Sequence, residues 1–254
     1  MLLNTEYMIK TFFLCVKAIP VTLKITVISI LLAFTPALII ALGRTNKIKA
    51  IEAIGKFYVS IIRGTPIVLQ ILIIYSLVPS LLNVVFKSIG SNINIFDLNP
   101  VIYAYIVFSL NSIATLSEVF RSALQTVSKG QYEAGITIGL SPFQVYWRII
   151  FPQAAVSAIP NLCTFTVTLI KNTSLAFMMT VKDITAVAKI EASYGYNYIE
   201  SYIDIFLVYI IICGAVQFLF RLAEKKLLFK GVKQKSRNQI IRGGAEYAEY
   251  QKRS

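Results

Sequence analysis

The chain has 254 residues, of which 56% are hydrophobic and only 15% charged, with no histidine and a formal net charge of +13. Soluble domains average about 25% charged residues, so a soluble enzyme is a poor fit, and the missing imidazole removes the commonest metal ligand and the usual general base near neutral pH. The basic residues lie between apolar runs, so membrane topology, and not nucleic acid, accounts for the charge.

In chain order, residues 1–24 read as an outer amphipathic lead-in helix. Lys10, Lys17 and Lys24 interrupt what would be the apolar centre of a cleaved signal, and no small-residue cleavage site follows. A helix crossing the hydrocarbon core needs about 20 mostly apolar residues. Five charge-free windows meet or approach that length: 25–43, 64–86, 98–117, 149–170 and 205–220, the last extended by Tyr202 and Ile203. Five in succession outweigh the alternative of buried helices in a soluble protein. The expected fold class is all-α and integral to a membrane, with about five transmembrane helices.

Lys and Arg set the orientation. The segments after the first, third and fifth windows carry 18 of the 25 basic residues, so that side is expected to be cytoplasmic. The N-terminus is then outside and the C-terminus inside. Residues 229–254 form a basic, mobile cytoplasmic tail able to touch anionic lipid. Residues 180–200 form an external segment with a short helix from Val181 to Ala192 before the turn at Tyr194-Gly195-Tyr196-Asn197. Cys15, Cys163 and Cys213 are odd in number and widely spaced, so neither a disulfide framework nor a zinc site is expected. They read as small buried residues.

The loop at 125–152 carries the densest local signals. A first helix starts near Gly130 and runs through Glu133 and Ala134, and Gly139 supplies the positive φ that ends it. Ser141 reads as an N-cap, with Pro142 at the first helical position and Gln144 completing a capping box. The second helix runs towards Ile150, and Pro152 starts the next span.

Polar residues recur on single faces of two spans. In the third span, read on past its window, they are Asn111, Thr115, Glu118 and Ser122; in the fourth, likewise extended, Asn161, Thr164, Thr168 and Lys171 or Asn172. Two such stripes in neighbouring spans suggest a lined passage, although Ser and Thr also bind helices together in lipid. Pro160 is expected to kink the fourth span. Glu118 and Arg121 are spaced to pair, either as a structural ion pair or as lining groups of the inner pathway.

The spacing of Glu133-Ala134-Gly135, Gly139 and Ile149-Ile150-Phe151-Pro152 resembles the EAA motif of ABC importer membrane subunits, with Gly135 where Ala and Phe151 where Leu are usual. Gly135 is expected to loosen the first helix slightly. Arg63-Gly64-Thr65-Pro66-Ile67-Val68-Leu69-Gln70, Ser117-Glu118-Val119-Phe120-Arg121-Ser122-Ala123-Leu124-Gln125, Lys129-Gly130-Gln131-Tyr132-Glu133-Ala134 and Lys171-Asn172-Thr173-Ser174-Leu175 are similar to segments of the polar amino acid branch. The likeness covers roughly residues 15–228.

What the resemblance implies is a type I ABC importer permease fold over 25–228, with 125–152 as the coupling loop. Gln131, Tyr132, Glu133, Ala134, Gly139 and Pro152 would engage a separate ABC ATPase, which binds the ATP and Mg; no cofactor belongs to this chain, which lacks a phosphate loop of its own. Asn111, Thr115, Glu118, Arg121, Asn161, Thr164 and Thr168 would line the translocation pathway. The implied partners are that ATPase, an extracellular solute-binding protein, a second permease copy or paralogue, and the lipid of a bacterial cytoplasmic membrane, with no nucleic acid. The expected cargo is a polar amino acid, cystine or a related sulfur-containing one first, with arginine, glutamine and histidine open; a cationic cargo would favour Glu118 as its partner. The rivals are an ion-coupled secondary transporter or channel, an intramembrane enzyme and a receptor-like scaffold. The enzyme is opposed by the absence of His and of nucleophile-elbow and zinc motifs.

Overall fold

The computed structural model describes residues 3–89 and 95–251, and their side chains up to residue 226, Ile95 excepted. Regular structure among the described residues is all helical. Five helical stretches are long and apolar enough to cross a membrane: Thr5–Thr45, Ile67–Ser88, Pro100–Gln125, Pro142–Met179 and Tyr198–Lys226. Each contains or overlaps one charge-free window. The windows stop at the first charge, whereas the helices run on past it.

Helix α1 (Thr5–Thr45) begins at Asn4, whose side chain accepts the Tyr7 N–H at 3.0 Å. Lead-in and first span form one helix of 41 residues, about 60 Å long at 1.5 Å per residue. No helix end falls between residues 24 and 25. The reason lies in the inner stripe: Thr11, Cys15, Ala18, Thr22, Ser29, Ala33, Ala37 and Ala41 are all buried at three- to seven-residue steps. Lys10, Lys17 and Lys24 stand outside that stripe and are exposed, so they mark a face and not an end. Small residues matter because lipid gives helices no hydrophobic reason to associate, and close van der Waals packing takes its place. Ala33, Ala37 and Ala41, all 0% exposed, form one core with Tyr103, Val107, Phe108, Leu116 and Phe120 of α4 (Pro100–Gln125).

Helix α2 (Lys49–Gly64) was not among the spans, because its charges keep its hydropathy low. It climbs beside α4, where the Tyr58 hydroxyl donates to Leu110 O at 2.6 Å. The chain then breaks at Thr65-Pro66, since Pro biases the preceding residue to extended backbone, and Thr65 has φ −115 and ψ 142. Helix α3 (Ile67–Ser88) follows. The α2–α3 break therefore sits beside the middle of α4, and Arg63 with it.

Helix α4 ends at Gln125, and α5 (Lys129–Thr137) and α6 (Pro142–Val145) form a hairpin. A π-helical turn, Tyr146–Ile150, leads into α7 (Phe151–Asn172). Pro152 has no N–H to close the bond expected by Arg148 O, and the helix widens there. A 3₁₀ stretch, Thr173–Met179, precedes α8 (Ile184–Gly195), so the short helix expected over 181–192 is present and begins three residues later. The turn after it uses Tyr196 at φ 58. Helix α9 spans Tyr198–Gln251; the basic tail continues it to Gln251, while residues 252–254 and the side chains from 227 lie outside what the structure describes. A second buried cluster joins Cys15 and Ala18 of α1 to Ile184 and Ala188 of α8 and Val208 and Ile212 of α9. All three cysteines are free, Cys15 buried and the other two half-buried.

Candidate functional site

Two regions hold the expected site residues. The first is the hairpin. Gly139 has φ +85, the left-handed conformation that only glycine takes without strain. Around it Ile138 N–H donates to Ala134 O at 3.2 Å, Gly139 N–H to Ile136 O at 2.9 Å and Leu140 N–H to Gly135 O at 3.1 Å, so the orphan carbonyls of α5 are satisfied as the chain reverses. Ser141 and Gln144 form the reciprocal capping box.

Gly135 does not loosen α5. It is buried, and a Cβ there would stand 2.7 Å from Val145 Cγ2 and 3.2 Å from Ile149 Cδ1. Its missing side chain lets α5 press onto the following turn. Tyr132 and Tyr146 meet edge to face at 6.0 Å, and the Tyr146 hydroxyl donates to Asn46 Oδ1 at 2.6 Å. That bond fastens the hairpin to the end of α1. Thr45, Asn46, Lys129, Tyr132, Glu133 and Tyr146, with Leu124, Val127 and Ile150, surround a pocket of about 230 Å³.

Gln131, Glu133, Ala134, Gly139 and Pro152 are exposed and Tyr132 is half-buried. The hairpin also exposes Ile138 (74%), Phe143 (75%) and Trp147 (65%), with the last two rings stacked at 6.3 Å. Sequence reasoning passed over these three. Their signal was present: large apolar residues on the flanks of a capped hairpin whose core positions are taken by Gly135, Val145 and Ile149.

The second region is a cleft of about 280 Å³ between α4 and α7, lined by Asn111, Thr115, Asn161, Thr164 and Thr168 together with Val119, Phe165, Leu169 and Asn172. The structure thus brings five of the expected pathway residues to one place. Thr115 and Thr164 return their hydroxyls to their own helices, to Asn111 O at 3.2 Å and Pro160 O at 3.1 Å. The Asn111 amide instead donates to Gln70 Oε1 at 3.3 Å, and Gln70 Nε2 donates to Ile62 O at 2.8 Å and Thr65 Oγ1 at 2.9 Å. Gln70, which had no assigned role, fixes the α2–α3 break against the cleft wall.

Glu118 and Arg121 are not part of that lining. Glu118 Oε2 accepts from Arg121 Nη2 at 2.7 Å and Nε at 3.1 Å, and its Oε1 accepts from Arg44 of α1. The carboxylate is clamped between two guanidinium groups where α1 crosses α4. Cleft and hairpin are mechanically joined, because α4 leads into the hairpin and α7 leaves it.

The family model for binding-protein-dependent transport system inner membrane components matches residues 33–229. The chain is 36% identical over 227 residues to the probable amino-acid permease protein YxeN of Bacillus subtilis, covering 88% of this chain and 97% of that protein. It is 34% identical to the L-cystine transport system permease protein TcyL of the same organism, over 82% of this chain and 85% of the relative. It is 33% identical to the putative glutamine transport system permease protein GlnP of Rickettsia conorii, over 88% and 98%. Among solved structures, a chain of an amino acid ABC transporter with histidines superposes with a TM-score of 0.74 at 27% identity, covering 89% of this chain and 100% of that one. An inward-facing MetNI methionine ABC transporter superposes at 0.63 with 15% identity, over 85% and 96%, a likeness of fold alone.

Proposed function

The chain belongs to the binding-protein-dependent transport system inner membrane components, and from that membership we propose that it is the permease subunit of an ATP-driven importer of a polar amino acid. The observation that carries this reading is the hairpin of α5 and α6. It is capped at its turn, packed on Gly135, pinned to α1 through Tyr146 and Asn46, and continuous with the two helices that line the cleft. Its exposed Ala134, Ile138, Phe143 and Trp147 offer apolar surface, with Lys129, Glu133 and Arg148 exposed alongside. Contiguous exposed apolar residues of that kind mark protein interaction sites, and the partner that fits is a cytoplasmic ATPase.

In this reading, ATP binding draws two ATPase copies together, and each hairpin moves with the copy that grips it. A rigid hairpin passes the motion to α4 and α7, and the cleft opens to one side or the other. Each nucleotide state need only favour one permease conformation. The cleft itself offers amides and hydroxyls and no charge, which suits a zwitterion carried without a fixed counter-ion. The relatives' names favour cystine or glutamine among such cargoes. An external binding protein delivers the cargo, a second permease copy or paralogue completes the passage, and the hairpin end faces the cytoplasm, in keeping with the excess of Lys and Arg in the segments after the first, third and fifth windows.

Co-expression with a candidate ATPase and binding protein, followed by reconstitution in liposomes, tests the proposal. Uptake of labelled cystine or glutamine that requires internal ATP and the external binding protein is the expected result. Uptake by this chain alone, driven by a proton or sodium gradient, would establish the ion-coupled carrier instead.

A further inference from the structure

The cleft between α4 and α7 has a neighbour. Thr164 and Thr168, on its edge, also line a second pocket of about 280 Å³ between α7 and α9. The lining of the cleft has amides and hydroxyls and no charge. The second pocket has two cations, Lys171 of α7 and Arg221 of α9, together with Gln217 and Cys163.

The two helices place those cations at opposite ends of the pocket. Cys213, about two turns before Arg221, lies in the field of Lys171, and Cys163, about two turns before Lys171, lies in the field of Arg221. Arg221, the first charge after the fifth window, therefore stands beside the middle of α7. Neither cation takes part in an ion pair among the described residues. Glu224, one turn beyond Arg221, is not part of the lining and weighs on Cys163 less than Arg221 does.

Charges within membrane spans are costly, and they mark the routes of solutes where they face a cavity. Two cations on one open pocket, with no acid of their own, call for an anion. Guanidinium and ammonium groups both form strong, charge-assisted bonds with carboxylates, and the Gln217 amide adds a neutral donor. The α-carboxylate is the one anionic group that amino acids share whatever their side chains.

We infer that the α7–α9 pocket receives the α-carboxylate of the cargo, with Arg221 and Lys171 as its counter-charges, while the rest of the cargo stays in the uncharged cleft across Thr164 and Thr168. The inference rests on the importer reading and gives its cargo a class: amino acids with a free α-carboxylate, in preference to their amides.

Cys163 lies in the pocket and reports on it directly. With Cys15 and Cys213 replaced by alanine, the full chain in nanodiscs of neutral lipid is treated with methanethiosulfonates bearing either a sulfonate or a trimethylammonium group. The sulfonate reagent is expected to label Cys163 at least about tenfold faster, because a cleft of one charge sign concentrates its counter-ion. Arg221→Gln combined with Lys171→Gln should bring the ratio of rates near one, and Arg221→Lys should keep it. Equal rates before those changes, labelling by neither reagent, or an unchanged ratio in the double variant would overturn the cationic pocket. Absence of ATP-driven uptake would sink the importer reading and leave these rates as they are.

Occupancy is read as protection of Cys163 from the sulfonate reagent. The probes are L-glutamine and L-cystathionine, the thioether isostere of cystine that cannot exchange with a thiol. At least one should slow labelling about tenfold at ten times its dissociation constant, and the α-amide of that amino acid should not. Protection by neither, or equal protection by the amide, would overturn the carboxylate site. Labelling lost on adding anionic phosphatidylglycerol to the nanodisc, with no protection by either amino acid, would give the pocket to a lipid headgroup and overturn it too.

Discussion

Arg44 of α1 donates to Glu118 of α4, two residues 74 positions apart in sequence. Their side chains are 12% and 18% exposed, and Arg121 holds the other carboxylate oxygen at 2.7 Å. The arrangement makes Glu118 the hub at which the first span is locked to the helix that lines the cleft. Removing one member of a buried pair strands the other, and typical costs reach about 3 kcal/mol. Glu118→Gln should therefore lower the unfolding midpoint as well as transport. In a double-mutant cycle with Arg44→Gln, the two losses should add to well under their sum. Additive losses would mean that the pair is not coupled.

The hairpin is predicted to respond to Gly135 by volume. Alanine gains about 1 kcal/mol in helix propensity, but its methyl would meet Val145 Cγ2 at 2.7 Å, and overpacking costs about 1–3 kcal/mol. The packing term wins, so Gly135→Ala should weaken coupling of ATP hydrolysis to uptake. Val145→Ala in the same chain should restore it. Measurement of moles of ATP hydrolysed per mole of cargo in both variants decides the point.

Gly139 is a different case, because nothing lies within 4 Å of its added Cβ. Only the backbone objects, at about 1–2 kcal/mol for a left-handed non-glycine residue. Gly139→Asn, which tolerates that conformation, should keep near-normal coupling, whereas Gly139→Val should lose it. Equal behaviour of the two variants would show that the turn's handedness is not what matters.

Asp183 sets a pH dependence. Its carboxyl titrates near 3.8 when unfolded and is pushed up to about 6 by burial in the folded chain. The folded state binds the proton more tightly, so stability is greatest below about pH 4 and falls as pH rises to about 6, by about 3 kcal/mol for this group. The difference between wild type and Asp183→Asn in chemical unfolding should grow over that window and then level off. A difference that is flat from pH 4 to 7 would contradict it.

The parts of this chain that were legible in advance were those encoded within a few residues. Ser141, Pro142, Gln144 and Gly139 state their roles locally, and the three- to four-residue spacing of Asn111 and Thr115, and of Asn161, Thr164 and Thr168, carries them to one face whatever the helices pack against. What could not be read depended on partners far along the chain. Nothing near Glu118 announces Arg44, and nothing near Asn46 announces Tyr146. Helix α2 escaped because Lys49, Glu52, Lys56 and Arg63 dilute its hydropathy. The lysines of 10–24 looked like a boundary because a charge ends an apolar window, while the helix underneath is held by the small residues on its other face.

The central claim is that the α5–α6 hairpin is gripped by a separate ATPase. A single cysteine at Glu133, in a chain whose Cys15, Cys163 and Cys213 are replaced by alanine, tests it most directly in native membrane vesicles. The account predicts a crosslink to an ATP-hydrolysing protein whose yield changes between nucleotide-free and ATP-bound conditions. A cysteine that stays reactive to small thiol reagents yet captures no such protein in either condition would contradict it.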